Sequence, residues 1–79
     1  MDISTAVRIR IRELCKQRKT TLNKLGTICG VTQSTLKNIM SGRNGATVIT
    51  IKKICDGCDM SIIDFFNTDL FKNLEQEIK

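Results

Sequence analysis

Apolar residues recur along most of the chain at the three- and four-residue intervals of an amphipathic helix. Two short runs at first favour strands, because residues 7–12 alternate apolar and basic side chains and residues 48–51 are rich in β-branched side chains. Both runs continue at helical spacing, however, and the Asn-Gly pair at residues 44–45 is followed by a helical pattern and not by the second strand of a hairpin. The pattern therefore predicts an all-α fold.

Hydroxyl side chains and glycines mark the ends of the predicted helices. A residue that can accept a hydrogen bond from a free backbone N–H group stands before four of them, at Thr21, Thr32, Thr47 and Ser61. Gly30 and Gly42 each follow a helical pattern, where a left-handed residue is favoured. We predict helices over residues 4–18, 22–29, 33–41, 48–58 and 62–67.

The end of the chain carries a further helical pattern. Leu70, Leu74 and Ile78 recur at four-residue intervals, which predicts a sixth, amphipathic helix over residues 68–79. The expected organisation is a compact five-helix domain over residues 1–67, followed by a tail helix that packs on the domain or mediates dimerisation.

Charge is unevenly distributed. Residues 1–55 contain eleven Lys or Arg and two acidic residues, whereas residues 56–79 contain six acidic residues and two lysines. A basic body favours a polyanionic partner, nucleic acid above all, over the alternative of an ordinary solvated basic surface. The acidic tail suggests a separate role for the last segment.

Composition argues against several other classes of protein. The chain has no histidine, the commonest general base and metal ligand, and shows no nucleophile–base pair or phosphate-binding loop, so we predict neither an enzyme nor a bound cofactor or metal. No apolar run reaches the roughly 18 residues needed to span a bilayer, and the first residues lack a secretory signal pattern.

The second and third predicted helices form a helix-turn-helix, because only residues 30–32 connect them. The second helix of such a pair can enter the major groove of DNA. Five positions are spaced to close a small core between the two helices, namely Leu25, the small Gly26, Val31, Leu36 and Ile39.

This pattern resembles the phage-repressor-like (XRE) helix-turn-helix family over residues 11–66. The resemblance implies a cytoplasmic, commonly dimeric, all-α DNA-binding domain that acts as a transcriptional repressor or regulator. It makes the third helix the recognition helix, with an outer face of Thr32, Gln33, Ser34, Lys37 and Asn38. It implies phosphate contacts from Thr21, Asn23, Lys24, Arg43 and Asn44.

The chemistry of this outer face agrees with base recognition. Amide side chains pair with adenine, hydroxyls donate or accept, and lysine binds guanine or phosphate. We expect Gln33 to reach base edges most directly, with Asn38 further along the same exposed side. The alternative is an ordinary solvated helix face.

Three features depart from the family pattern. Leu22 begins the second helix, where the family often has a Gln that reaches the DNA backbone, so that contact is not carried over. Cys15 and Met40 stand where the family commonly pairs Arg with Glu, and the joint change predicts a thiol–thioether contact in the core. Asp59 replaces the usual Gly after the fourth helix, and Asp tolerates left-handed backbone geometry.

The four cysteines could indicate a zinc site, a disulfide or redox-sensitive thiols. Cys55 and Cys58 have the spacing of half a zinc site, but they lie within a predicted helix and the chain offers no second half-site. All four, including Cys15 and Cys29, lie on or beside apolar helical positions, so we favour core cysteines.

Three functions remain open at this point. The first is a regulator that binds an imperfect palindrome of double-stranded DNA as a homodimer. We expect the fifth helix and the tail to form the dimer contact, because their apolar side chains exceed what one core can cover. The second is an antitoxin-type or accessory regulator whose acidic tail also binds a protein partner. The third is a protein-interaction module with an unused DNA face. A tail packed on the fifth helix or between subunits favours the first function, whereas a free apolar tail favours another partner.

Among the apolar residues of the fifth helix, we expect Phe65 to lie in the core.

Overall fold

The computed structural model describes residues 1–78 and contains, in this part of the chain, five α-helices and no strand. The helices are α1 (Ile3–Gln17), α2 (Leu22–Cys29), α3 (Gln33–Met40), α4 (Val48–Gly57) and α5 (Ile62–Phe66). Each end lies within one residue of the predicted position, and the all-α, five-helix fold is confirmed. No helix among these residues has the length and apolar character needed to cross a bilayer.

The predicted helix ends are confirmed in detail. The hydroxyls of Thr21, Thr32, Thr47 and Ser61 each accept a hydrogen bond from the backbone N–H three residues further on. Gly30 and Gly42 have left-handed φ values of 71° and 81°, and Asp59 has a φ of 55°. The first helix has a cap that the pattern did not reveal, because the Asp2 carboxylate accepts from the Thr5 N–H at 2.8 Å.

The predicted sixth helix is wrong. The tail forms a single 3₁₀ turn at Asp69–Phe71 and is not helical over residues 72–78, while Lys79 lies outside the described residues. The side chains and backbone N–H groups of the tail make contacts with the rest of the domain that a helix would not allow. The Phe71 ring packs 4.8 Å from the Phe66 ring, and the Glu75 N–H donates to the Met1 carbonyl at 3.0 Å. A helix of about 12 residues is marginal without packing along one face.

The core draws on every helix. Phe65, Ile11 and Cys55 are completely buried, and the predicted place of Phe65 in the core is confirmed. The residues expected to close the helix-turn-helix are all buried as well: Leu25, Gly26, Val31, Leu36 and Ile39. Cys15 is buried in this core, and Met40 packs against it half-exposed. A direct contact between their sulfur atoms stays a prediction.

Two glycines allow α2 to lie close to its neighbours. A Cβ atom on Gly26 would lie 2.7 Å from Leu36 Cδ1 and 2.9 Å from the Val31 carbonyl oxygen. A Cβ atom on Gly57, at the end of α4, would lie 2.9 Å from Cys29 Cα and would overlap its Sγ atom. The chain therefore has no room for a side chain at either contact.

One charged residue, Arg10, is buried in the same interior. Its Nε atom donates to the Phe65 carbonyl at 2.7 Å, and its Nη2 atom donates to the Asp64 carbonyl at 3.2 Å. The guanidinium also lies over the Phe65 ring, 5.7 Å from its centre. These bonds give the buried cation two carbonyl acceptors in the last turn of α5, and they join α5 to α1.

The four cysteines are free and buried, as the core interpretation predicts. The Cys29 thiol donates to the Ile54 carbonyl at 3.6 Å. Burial raises the pKa of the Cys29 thiol to about 11, and it also raises the pKa values of Cys15 and Cys55. Thiols with raised pKa values are poor nucleophiles at neutral pH.

We predict that Gly57→Ala lowers the free energy of unfolding by about 1–3 kcal/mol, because the new methyl group would force α4 away from Cys29. Urea unfolding measures the change. Gly45→Ala is the matched control: the nearest atom to its added methyl group is Ser4 Oγ at 3.8 Å, so its effect should stay within about 0.5 kcal/mol. Equal stability of the two variants would contradict the close α2–α4 contact.

We also predict that stability falls as the pH rises through the window from 9 to about 11. The ordinary thiol pKa of 9.0 describes Cys29 in the unfolded chain, and the folded value is higher, so above pH 9 the unfolded state loses its proton first and is favoured. Urea unfolding at several pH values should show a shallower decline for Cys29→Ala than for the unsubstituted protein. Identical slopes would contradict the burial of an uncharged thiol at this position.

Candidate nucleic-acid interface

The outer face of α3 is polar and open. Leu36 and Ile39 point into the core, each with 3% of its surface exposed, so the opposite side of the helix faces solvent. Four of the five residues predicted to contact bases are exposed, and Asn38 is half-buried. The hydroxyl of Thr32, at the start of the face, caps α3 and donates to the Thr35 hydroxyl at 2.9 Å.

Gln33 bridges the two helices of the motif. Its Nε2 atom donates to the Asn23 carbonyl of α2 at 3.2 Å. The amide keeps its second N–H and its carbonyl oxygen for other partners, which are the two groups that pair with an adenine edge. The structure thus brings Gln33 together with the backbone of Asn23, one of the residues predicted to contact phosphate.

Asn38 lies on the other flank of α3. It lines a pocket of about 270 Å³ with Asn44, Thr47 and others, next to the start of α4, whereas Gln33 lines a groove beside α2. The expectation that the two amides share one exposed side is therefore wrong. Five residues of an α-helix turn through about 140° beyond a full circle, which separates them.

The residues predicted to contact phosphate frame α3 on both sides. Thr21, Asn23 and Lys24 stand at the exposed beginning of α2, while Arg43 and Asn44 lie in the exposed loop between α3 and α4. The loop is fixed to the end of α3. The backbone N–H groups of Arg43 and Asn44 both donate to the Asn38 carbonyl, at 3.0 and 3.2 Å.

The electrostatics of this side of the molecule favour an anion. The first turns of α2, α3 and α4 contain no acidic residue, so the positive ends of three helix dipoles remain uncompensated there. Within residues 1–78, no carboxylate lies within salt-bridge distance of Lys24, Lys37 or Arg43. The ion pairs of this part of the chain involve other residues, such as Lys52 with Asp56.

Two features of this surface were not predicted. The beginning of α4 at Thr47 was recognised as a helix cap, but its position beside Asn38 and Asn44 depends on tertiary packing. Arg8 of α1 lies beneath the same loop, with Nη1 3.6 Å from the place where a Cβ of Gly42 would stand. In the sequence this arginine belongs to the alternating apolar and basic run of residues 7–12. That pattern does not show which of its basic side chains faces the loop.

Comparisons with known proteins agree with this geometry. A family model described as Helix-turn-helix (HTH_3) matches residues 11–65, which is more than half of the chain. The sequence matches no curated protein at a significant level.

Two solved structures have similar folds. The crystal structure of the prophage Lp1 protein 11 superimposes with a TM-score of 0.82 at 30% identity, covering 94% of this chain and 100% of that one. An HTH_3 family transcriptional regulator from Vibrio cholerae superimposes with a TM-score of 0.74 at 27% identity, covering 85% of this chain and 38% of that one. The chain belongs to the phage-repressor-like (XRE-type) helix-turn-helix family, whose members are DNA-binding transcriptional regulators and not enzymes.

Proposed function

We propose that this protein is a sequence-specific regulator of transcription that places α3 in the major groove of double-stranded DNA. The observation that carries the proposal is the exposed polar face of α3, with Gln33, Ser34 and Lys37, lying between the acid-free beginnings of α2 and α4. Such a surface matches the width and charge of a duplex groove bordered by phosphates. Selection of bound sequences from a random duplex library tests it directly.

In this proposal the side chains of α3 contact bases, and the residues on either side of α3 contact phosphates. Gln33 and Asn38 recognise bases through amide pairing, and Ser34, Lys37 and the hydroxyl of Thr32 add contacts to base edges. Thr21, Asn23 and Lys24 bind phosphates on the α2 side; Arg43 and Asn44 do so on the α4 side. The Thr47 end of α4 and Arg8 extend the second group.

We further propose that two copies bind an imperfect palindrome as a symmetric dimer. Ile63 of α5 is 76% exposed, and it lies on a helix whose other apolar residues are turned inward or half-buried. We infer an isologous contact through this side chain, and a symmetric dimer that binds two half-sites requires its two copies of α3 to reach major grooves about 34 Å apart.

Repression is the regulatory action that this domain favours. A protein bound in the major groove of a promoter site excludes other proteins from the same site, and that effect requires no further activity.

The contacts of the tail support a DNA-binding regulator over an antitoxin-type or accessory regulator. Phe71 packs on the rings of Phe65 and Phe66, and Glu75 pairs with the amino group of Met1. In this proposal the acidic tail packs on its own domain.

We predict that Gln33→Ala costs about 1–3 kcal/mol on the preferred duplex and removes base preference at one position in each half-site, because an amide–base pair is lost. Lys24→Ala should instead weaken all duplexes similarly and reduce the salt dependence by about one phosphate contact. Fluorescence anisotropy with single-base variants at several salt concentrations measures both. If Gln33→Ala weakened every duplex equally, α3 would not be the recognition helix.

The dimer proposal is tested by Ile63→Lys, which should shift the protein towards the monomer and weaken its binding to a palindrome more than its binding to a single half-site. Ile49→Lys is the matched control for the mass alone, because Ile49 is similarly exposed, at 72%, but lies on α4, where a new cation would itself change DNA affinity. Analytical ultracentrifugation at micromolar concentrations, with and without DNA, gives the mass. A strictly monomeric unsubstituted protein under both conditions would contradict the proposal.

A further inference from the structure

The side of α3 that faces α2 contains a groove with an apolar floor. The groove has a volume of about 540 Å³, and its apolar lining, here called the floor, consists of Leu22, Leu36 and Met40. Leu36 is buried, whereas Leu22 and Met40 are half-exposed and available to a partner. The polar rim is made by Asn23, Gln33, Lys37 and Ser41.

The rim identifies the kind of partner that fits this groove. Lys37 is its one charged residue, so the rim is cationic and suits a polyanion. The Gln33 amide also lines the groove, where it donates a hydrogen bond to the Asn23 carbonyl. An occupant must therefore present an apolar group beside a polar edge that an amide can bind.

In the major groove of DNA this description fits one base. Thymine carries a C5-methyl group, which is the apolar group that base edges expose in the major groove. Cytosine, adenine and guanine lack this methyl group. A methyl group removed from water on an apolar floor stabilises the complex, while the polar rim remains free for adjacent base edges and phosphate.

We propose that the floor formed by Leu22 and Met40 binds the methyl group of a thymine next to the base that Gln33 contacts. The inference rests on the proposed function and adds a specificity determinant to it. It makes Leu22, at the first position of α2, a residue that selects sequence through an apolar contact, although the rest of the surface recognises DNA by hydrogen bonds and charge.

The test replaces thymine by deoxyuridine, one position at a time, in the duplex that the protein selects. This change removes the methyl group and leaves every hydrogen-bonding group in place, and it does not alter the protein. We expect a loss of affinity of about three- to fivefold at one position in each half-site, which corresponds to one buried methyl group. Leu22→Gln should bind the thymine and deoxyuridine duplexes equally well.

Ile28→Gln is the matched control, because Ile28 is an apolar residue of α2 that is 60% exposed and lies outside the groove. It should retain the preference for thymine. Three results would each overturn the inference while the proposed function stands. Deoxyuridine could have no effect at any position, the selected half-site could contain no thymine, or Leu22→Gln could still prefer thymine to deoxyuridine. Selection of no preferred sequence at all would overturn both.

Discussion

The close approach of α2 to both α3 and α4 determines the arrangement of the whole domain. At Gly26 the chain of α2 meets Leu36 and the turn carbonyl of Val31, and at Gly57 the end of α4 meets Cys29. Neither contact leaves room for a side chain, so glycine is required on one side of each. Since α2 lies between the two, these contacts fix the angle at which α3 presents its outer face and the distance from α3 to the beginning of α4.

A second constraint closes the domain from the opposite side. Arg10 donates to two carbonyl groups at the end of α5 and so joins the first helix to the last. A buried guanidinium is costly unless its N–H groups have acceptors, and the end of a helix supplies carbonyls that need donors. The same helix end packs with Phe71, which holds the beginning of the acidic tail against α5.

Local chemistry accounts for what the sequence predicts correctly. Four hydroxyl caps, the glycines after α2 and α3, and Asp59 after α4 act over one turn of chain, so their effects are visible in a short segment. The tail shows the limit of that approach. Leu70, Leu74 and Ile78 have helical spacing, yet Leu70 and Leu74 are half-buried beside a 3₁₀ turn and Ile78 is 88% exposed. Spacing alone cannot show whether a partner surface exists for the predicted face.

The residues of the candidate nucleic-acid interface could also be predicted only in part. The identities of the polar residues on α3 follow from periodicity, because the buried positions of the helix fix the exposed ones. Their division between two flanks, with Gln33 beside α2 and Asn38 beside α4, depends on which helices pack against α3. The burial of Arg10 and the place of Arg8 beneath the α3–α4 loop also result from tertiary packing, because alternating basic residues look alike in sequence.

The central claim is that the outer face of α3 contacts base edges in the major groove. Intermolecular nuclear Overhauser effects in a complex with the selected duplex measure this directly. The account predicts contacts from the side chains of Gln33, Lys37 and Asn38 to base protons in the major groove. It also predicts contacts from the beginnings of α2 and α4 to deoxyribose protons of the DNA backbone. Contacts to DNA that arise only from α5 and the tail, with none from α3, would contradict it.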